Sequence, residues 1–178
     1  GRNLVGNRGS AASVMHPALH APCEANEYLQ DHVSRLLSSL RHWTGRSLVD
    51  SNLSQHAQAR ELYHAPFPVL SHNTDPDPLL NYANQAALTL FELTWEELIR
   101  SPSRLTAEPV QRVQRARLLA AVTVQGFIDN YRGVRISKSG KRFEIDRATV
   151  WTVLDEDGVR CGQAATFSDW RFLAQHDE

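Results

Sequence analysis

The chain has 178 residues, 42% of them apolar and 22% charged, with a formal charge of -1 and a pI near 6.8. That length suits one domain with a real core plus an N-terminal extension, and the balanced charge excludes the basic surface that holds nucleic acid. No run approaches the ~18 apolar residues of a membrane-spanning helix and no charged-then-apolar leader opens the chain. The expectation is a cytoplasmic protein with no membrane or nucleic-acid partner.

Cys23 and Cys161 share no CxxC or Cys/His spacing, which argues against a disulfide framework or structural zinc. Residues 1–14, ahead of the only methionine, Met15, are rich in Gly, Ser and Asn without periodicity. They read as an expression remnant or a disordered tail. The remainder divides into an N-terminal helical extension over 15–65, a domain over 66–172 and a C-terminal tail over 173–178.

In chain order, Leu29, Val33, Leu36, Leu37, Leu40 and Trp43 recur at helical spacing between Glu24 and Trp43, and Gly45 stops that helix. Its apolar stripe packs on its own domain or in a dimer interface, and the pattern leaves both open. A second helix, Ser54 to Tyr63, follows with Ser54 as N-cap. Phe67 to Ser71 and Leu79 to Ala83 read as two strands of a hairpin, joined by the turn-rich HNTDPDP stretch. Asn84 caps the next helix. Thr94 and Glu97 form a capping box, and Pro102 ends the short helix they open. A longer helix begins near Thr106 with Pro109 in its first turn. It carries Val110, Val113, Leu118, Ala121 and Val122 to Gly126, with Arg112 and Arg115 on a solvated other side. Three strands then fill Gly126 to Trp170, turning at Ser137–Gly140 and Asp155–Gly158.

This element order resembles that of PAS domains. The stretches FPVLSHNTDPDPLLNYANQAAL, FELTWEEL, PSRLTAEP, GFIDNYRGVRISKSGKRF and GQAATFSDW resemble the MEKHLA domain family over about Glu24 to Trp170. The resemblance implies an α+β, PAS-like fold: a five-stranded antiparallel sheet with short helices on one face. It also implies a sensory or regulatory role, with no ligand named. Other members form the C-terminal domain of plant homeodomain-leucine-zipper transcription factors. Nothing here resembles their homeodomain, zipper or lipid-transfer parts, so DNA binding is not carried over.

Polar residues interrupt the apolar stripes of the last three strands. With Lys138 and Ser139 as a two-residue turn, Val134 pairs with Phe143, Arg132 with Ile145 and Asn130 with Arg147. This register points Asn130, Arg132 and Arg147 toward the concave side; a one-residue slip would reverse the first strand. An arginine facing a pocket must be paired, either by an internal carboxylate such as Glu108, Asp129 or Asp146, or by a bound carboxylate or phosphate. Pairing within the chain is the more ordinary of the two. Tyr82, Trp95, Trp151 and Phe167 line the cavity or fill the core; Arg104 sits on the helical side that closes it and points inward or outward; Gln163, with room among Gly162, Ala164 and Ala165, bonds a ligand or faces solvent.

The SPSRLTAE stretch lacks the cysteine of flavin-adduct PAS domains, and Thr106 to Gln125 lacks the histidine common in haem-binding ones. The cofactor is left unnamed, with non-covalent flavin open. His16 and His20 flank Pro17, which spoils a helical metal pair. His64 and His72 bracket the first strand and read as local hydrogen-bonding groups. No Ser/His/Asp set, phosphate loop or HExxH spacing marks an enzyme. The expectation is a single-domain sensory module that binds a small molecule at Tyr82, Trp95, Arg104, Asn130, Arg132, Arg147, Trp151 and Gln163, a molecule with an anionic group where the arginines are not paired within the chain. It would signal as a homodimer or through an output protein. A ligand-free interaction module is the alternative, and an enzyme using Glu108 the more remote one.

Overall fold

The computed structural model describes residues 19–174; the expected tail over 1–14, Met15, His16 and His176 lie outside them. Its elements run α1 (Gln30–Thr44), α2 (Gln55–His64), β1 (Val69–His72), β2 (Leu80–Ala83), α3 (Gln85–Phe91), α4 (Trp95–Leu98), α5 (Pro109–Gln125), β3 (Phe127–Ile136), β4 (Arg142–Leu154), β5 (Arg160–Thr166) and β6 (Asp169–Phe172). The fold is α+β around an antiparallel sheet in the order β2-β1-β5-β4-β3. A sixth strand joins the five expected. β4 is long enough to pair β5 through Thr149–Leu154 and then β6 through Phe143–Asp146.

The local signals set most boundaries. Gly45 ends α1 at φ 73, a left-handed value that glycine adopts without steric cost. Ser54 accepts from Ala57 N–H, and Thr94 and Glu97 close their capping box. Asn84 goes beyond a cap. Its Oδ1 accepts from the N–H groups of Val69 and Ala87, and its Nδ2 donates to the carbonyls of Leu62 and Phe67. The first helix starts later than its periodicity suggested. Glu27, Tyr28 and Leu29 take left-handed φ of 55, 53 and 55, which interrupts the right-handed helix, so a kinked segment over Glu24–Leu29, non-helical at Asn26, Glu27 and Tyr28, precedes α1.

Helices cover both faces of the sheet. Against one face lies α1, with Val33, Leu36, Leu37 and Leu40 packed on Tyr82, Trp151, Val153 and Ala164. Two indoles stitch it down: Trp151 Nε1 donates to Leu36 O at 3.1 Å and Trp43 Nε1 to Thr152 O at 2.8 Å. The apolar stripe of α1 is therefore used within the chain. The other face is covered by α3 and α5, with Leu118 and Val122 on Val150 and Phe91 on Phe143 and Ile145.

The β3–β4 hairpin departs from the expected register by one residue. Arg135 pairs with Phe143 and Ile136 with Arg142, because the turn is longer: Ser137 N–H donates to Lys141 O, and Gly140 sits at φ 93. A three-residue loop closed by a left-handed glycine replaces the two-residue turn. Glu92 clamps this loop, accepting from the hydroxyls of Ser137 and Ser139 and from Ser139 N–H. Those bonds hold its carboxyl down at about 2.

Candidate functional site

Period-two alternation converts that one-residue slip into an exchange of faces. Tyr131, Gly133 and Arg135 turn toward α5, while Arg132 faces out, ion-paired to Glu144 at 2.8 Å. A cavity of about 60 Å³ lies between this face and the helices. Leu70, Leu80, Phe91, Leu118, Ile145 and Phe167 make it apolar, and His72, Thr106, Arg115, Tyr131, Arg135 and Gln163 are its polar wall.

Arg115 reaches the cavity from α5. It stands three, four and seven residues before Leu118, Leu119 and Val122, so it shares the helix face that meets the sheet. The valines assigned to that stripe, Val110 and Val113, are 75% and 63% exposed. Burial, and then the neighbouring Arg135 charge, lower the Arg115 guanidinium to about 10. Arg135 is buried and meets only neutral groups, donating to Val134 O at 2.8 Å and Tyr131 Oη at 3.1 Å, its guanidinium 5.5 Å from the Tyr131 ring centre. Among the described residues, no carboxylate pairs with either arginine. Glu108 is taken by Arg142, and Asp129 by Arg46 and Thr149.

His72 enters from the end of β1, 7% exposed. Its Nδ1 lies 2.8 Å from Asn73 O, so Nδ1 carries the proton and Nε2 presents a lone pair. That buried Nε2 has no hydrogen-bond partner. Burial lowers its pKa to about 4, with Arg115 and Arg160 adding to the effect. Gln163 on β5 donates from Nε2 to Leu119 O and Thr123 Oγ1, which ties the sheet to α5.

The expected site residues separate accordingly. Gln163 and Phe167 line the cavity. Tyr82, Trp95 and Trp151 belong to the cluster under α1 on the opposite face; strand neighbours point to opposite sides, and Trp151 follows the cavity-facing Val150. Arg104 is at the surface against Asp77. Asn130 and Arg147 are exposed, at φ 53 and 51. They are the extra residues of two bulges, one on each strand, whose offsets cancel along the ladder. Arg115 and Arg135 were not among the candidates. Two signals pointed to them: the spacing of Arg115 to Leu118 and Val122, and the glycine that ends the SKSG turn.

An antiparallel sheet with an apolar cavity under short helices and one longer helix defines a PAS-like domain. A PAS domain from Colwellia psychrerythraea superposes with a TM-score of 0.55 at 15% identity, covering 66% of this chain and 94% of that one. A light-oxygen-voltage domain studied with a flavin analogue does so at 0.52 and 16%, covering 67% and 86%. The chain belongs to the MEKHLA domain family, whose model matches residues 30–172. Homeobox-leucine zipper protein HOX29 of Oryza sativa subsp. indica is 27% identical over 127 residues, 70% of this chain and 15% of that protein. ATHB-9 of Arabidopsis thaliana is 28% identical over 103 residues, 58% of this chain and 12% of that protein. The chain thus spans about 15% of the first of these curated relatives.

Proposed function

We propose that this domain is a sensory or regulatory module that binds a small molecule in the cavity and passes the signal to a partner protein or a second copy. One observation carries the reading: two arginines without a carboxylate and an unpartnered imidazole nitrogen face one apolar cavity. Buried polar groups are normally satisfied, and a ligand supplies what the chain does not. We read the site as one for binding: Glu108, the carboxylate singled out for acid–base work, is ion-paired with Arg142 and is not part of the cavity wall.

The same two strands offer the route out. Val150 and Gln163 face the cavity, while their neighbours Trp151 and Ala164 face α1. A ligand that favours one packing of β4 and β5 shifts the attachment of α1, provided it binds the two states unequally. With the α1 stripe used internally, a homodimer forms on another surface or by exchange of α1. Among the described residues no helix is long and apolar enough to cross a membrane, and the output partner is taken to be a soluble, cytoplasmic one.

Native mass spectrometry of protein purified from its source, with hydrogen exchange of α1 before and after ligand removal, tests this. A co-purified small molecule whose removal speeds exchange in α1 is the expected result. An empty cavity, with α1 exchange indifferent to a metabolite panel, defeats it. The second reading, a ligand-free interaction module, draws on the small volume of about 60 Å³, and that same negative result would favour it.

A further inference from the structure

We propose that the cavity ligand is a small monoanionic organic acid, its carboxylate held between Arg115 and Arg135 and its apolar body lodged against Leu70, Leu118, Ile145 and Phe167. The inference rests on the ligand-binding reading above and specifies the chemical class.

Charge is the first argument. α5 and β3 present two guanidinium groups to one cavity, and Arg135 has only a backbone carbonyl and a phenol for company. Like charges in a low-dielectric site raise each other's cost unless an anion stands between them. A carboxylate suits the planar donor fork of arginine.

The second argument is the rest of the wall. Arg115 and Arg135 are the charged members of a wall that is otherwise neutral and largely apolar, so the ligand has one ionised end. His72 Nε2 is a bare lone pair, because Nδ1 is committed to Asn73 O. A lone pair repels a second anionic oxygen and accepts from a neutral hydroxyl, which excludes dianions and phosphate esters. A cavity of about 60 Å³ holds a few water molecules' worth of atoms, too few for a flavin ring system.

The third is the backbone beneath the pole. A Cβ on Gly133 would fall 2.4 Å from Tyr131 Oη and 3.1 Å from Arg135 Nη1. Only a glycine lets those two side chains lie across β3 and aim at the cavity. This is a built arrangement: the same strand supplies the cation, the phenol that orients it and the gap that both need.

Titration calorimetry and thermal melting with acetate, glycolate and lactate, each against its neutral amide, and with inorganic phosphate, test the proposal. At least one acid is expected to bind and raise the melting temperature, with its amide at least tenfold weaker and phosphate without effect. In Arg115→Gln and in Arg135→Gln the preference for acid over amide disappears. Ligand-free Arg115→Gln melts above the parent protein because the like-charge pair is gone, an outcome that a merely structural arginine would not give. Circular dichroism confirms that both variants are folded. Amides that bind as well as acids, phosphate that binds as tightly, or a preference that survives both substitutions would overturn the organic-acid inference and leave the cavity as a ligand site. Failure of every acid and every amide to bind would overturn both.

Discussion

The indole of Trp151 donates its N–H to the backbone carbonyl of Leu36, 3.1 Å away and 115 residues earlier in the chain. Trp151 is fully buried, and this bond anchors the middle of α1 to β4, an interior strand of the sheet. Trp151→Phe removes the bond and part of the ring volume, so unfolding free energy should fall by about 2–4 kcal/mol. Urea denaturation measures the loss. Amide exchange should accelerate in α1 more than in α5 if the bond serves attachment of that helix.

Asn84 gives a comparable effect from a smaller side chain. It is fully buried and makes four hydrogen bonds, to Leu62, Phe67, Val69 and Ala87. Asn84→Ala removes the side-chain partner of two buried N–H groups and of the Phe67 carbonyl, while Leu62 O keeps the Ala65 N–H, a loss of about 3 kcal/mol. Asn84→Asp keeps the acceptor but sets a carboxylate against two carbonyls, and should be no more stable. An unfolding free energy within about 0.5 kcal/mol of the parent, a bound typical of ordinary surface substitutions, would refute this account.

Gly133→Ala separates the site from the fold. The new methyl would collide with Tyr131 Oη, a group at the end of a side chain that is able to swing away. The stability cost is about 1–3 kcal/mol, with the sheet retained. Tyr131 and Arg135 should leave their positions over β3, visible as shifted aromatic resonances of Tyr131 and as ligand binding weakened at least tenfold.

Stability should fall as pH drops from about 6.5 toward 4. Burial lowers His72 and His32 to about 4 in the folded chain, helped at His72 by Arg115 and Arg160 and at His32 by Arg35. Unfolded, each titrates near 6.5 and binds the proton more readily, so the stability they contribute is present above pH 6.5 and lost on acidification. For His72 the full loss is about 3 kcal/mol; His32 keeps an edge to solvent and contributes less. Urea titrations at pH 7, 6 and 5 measure the slope, and His72→Asn should flatten it. An unchanged slope in that variant would assign the acid sensitivity elsewhere.

Short-range chemistry determined much by itself. The caps at Ser54, Asn84 and Thr94, the glycine stop at Gly45 and the proline at the start of α5 each depend on a few adjacent residues, and each forms as the sequence implies. The motifs also carried the family and its PAS-like fold, while the polar residues read from the last three strands, Asn130, Arg132 and Arg147, lie outside the cavity. Which arginines serve it was decided by tertiary structure. A strand's two faces differ by one residue of register, and that register follows from the Ser137–Lys141 loop and from Glu92, a residue far away in sequence that clamps it. The exposed Val110 and Val113 outweighed Arg115 in the apolar pattern of α5, because periodicity ranks residues by hydrophobicity and cannot rank a charge that the sheet later covers. Chemistry that depends on neighbours in the chain was legible; the pairing of Arg115 with Arg135 across the cavity depends on two elements meeting, and only their packing creates it.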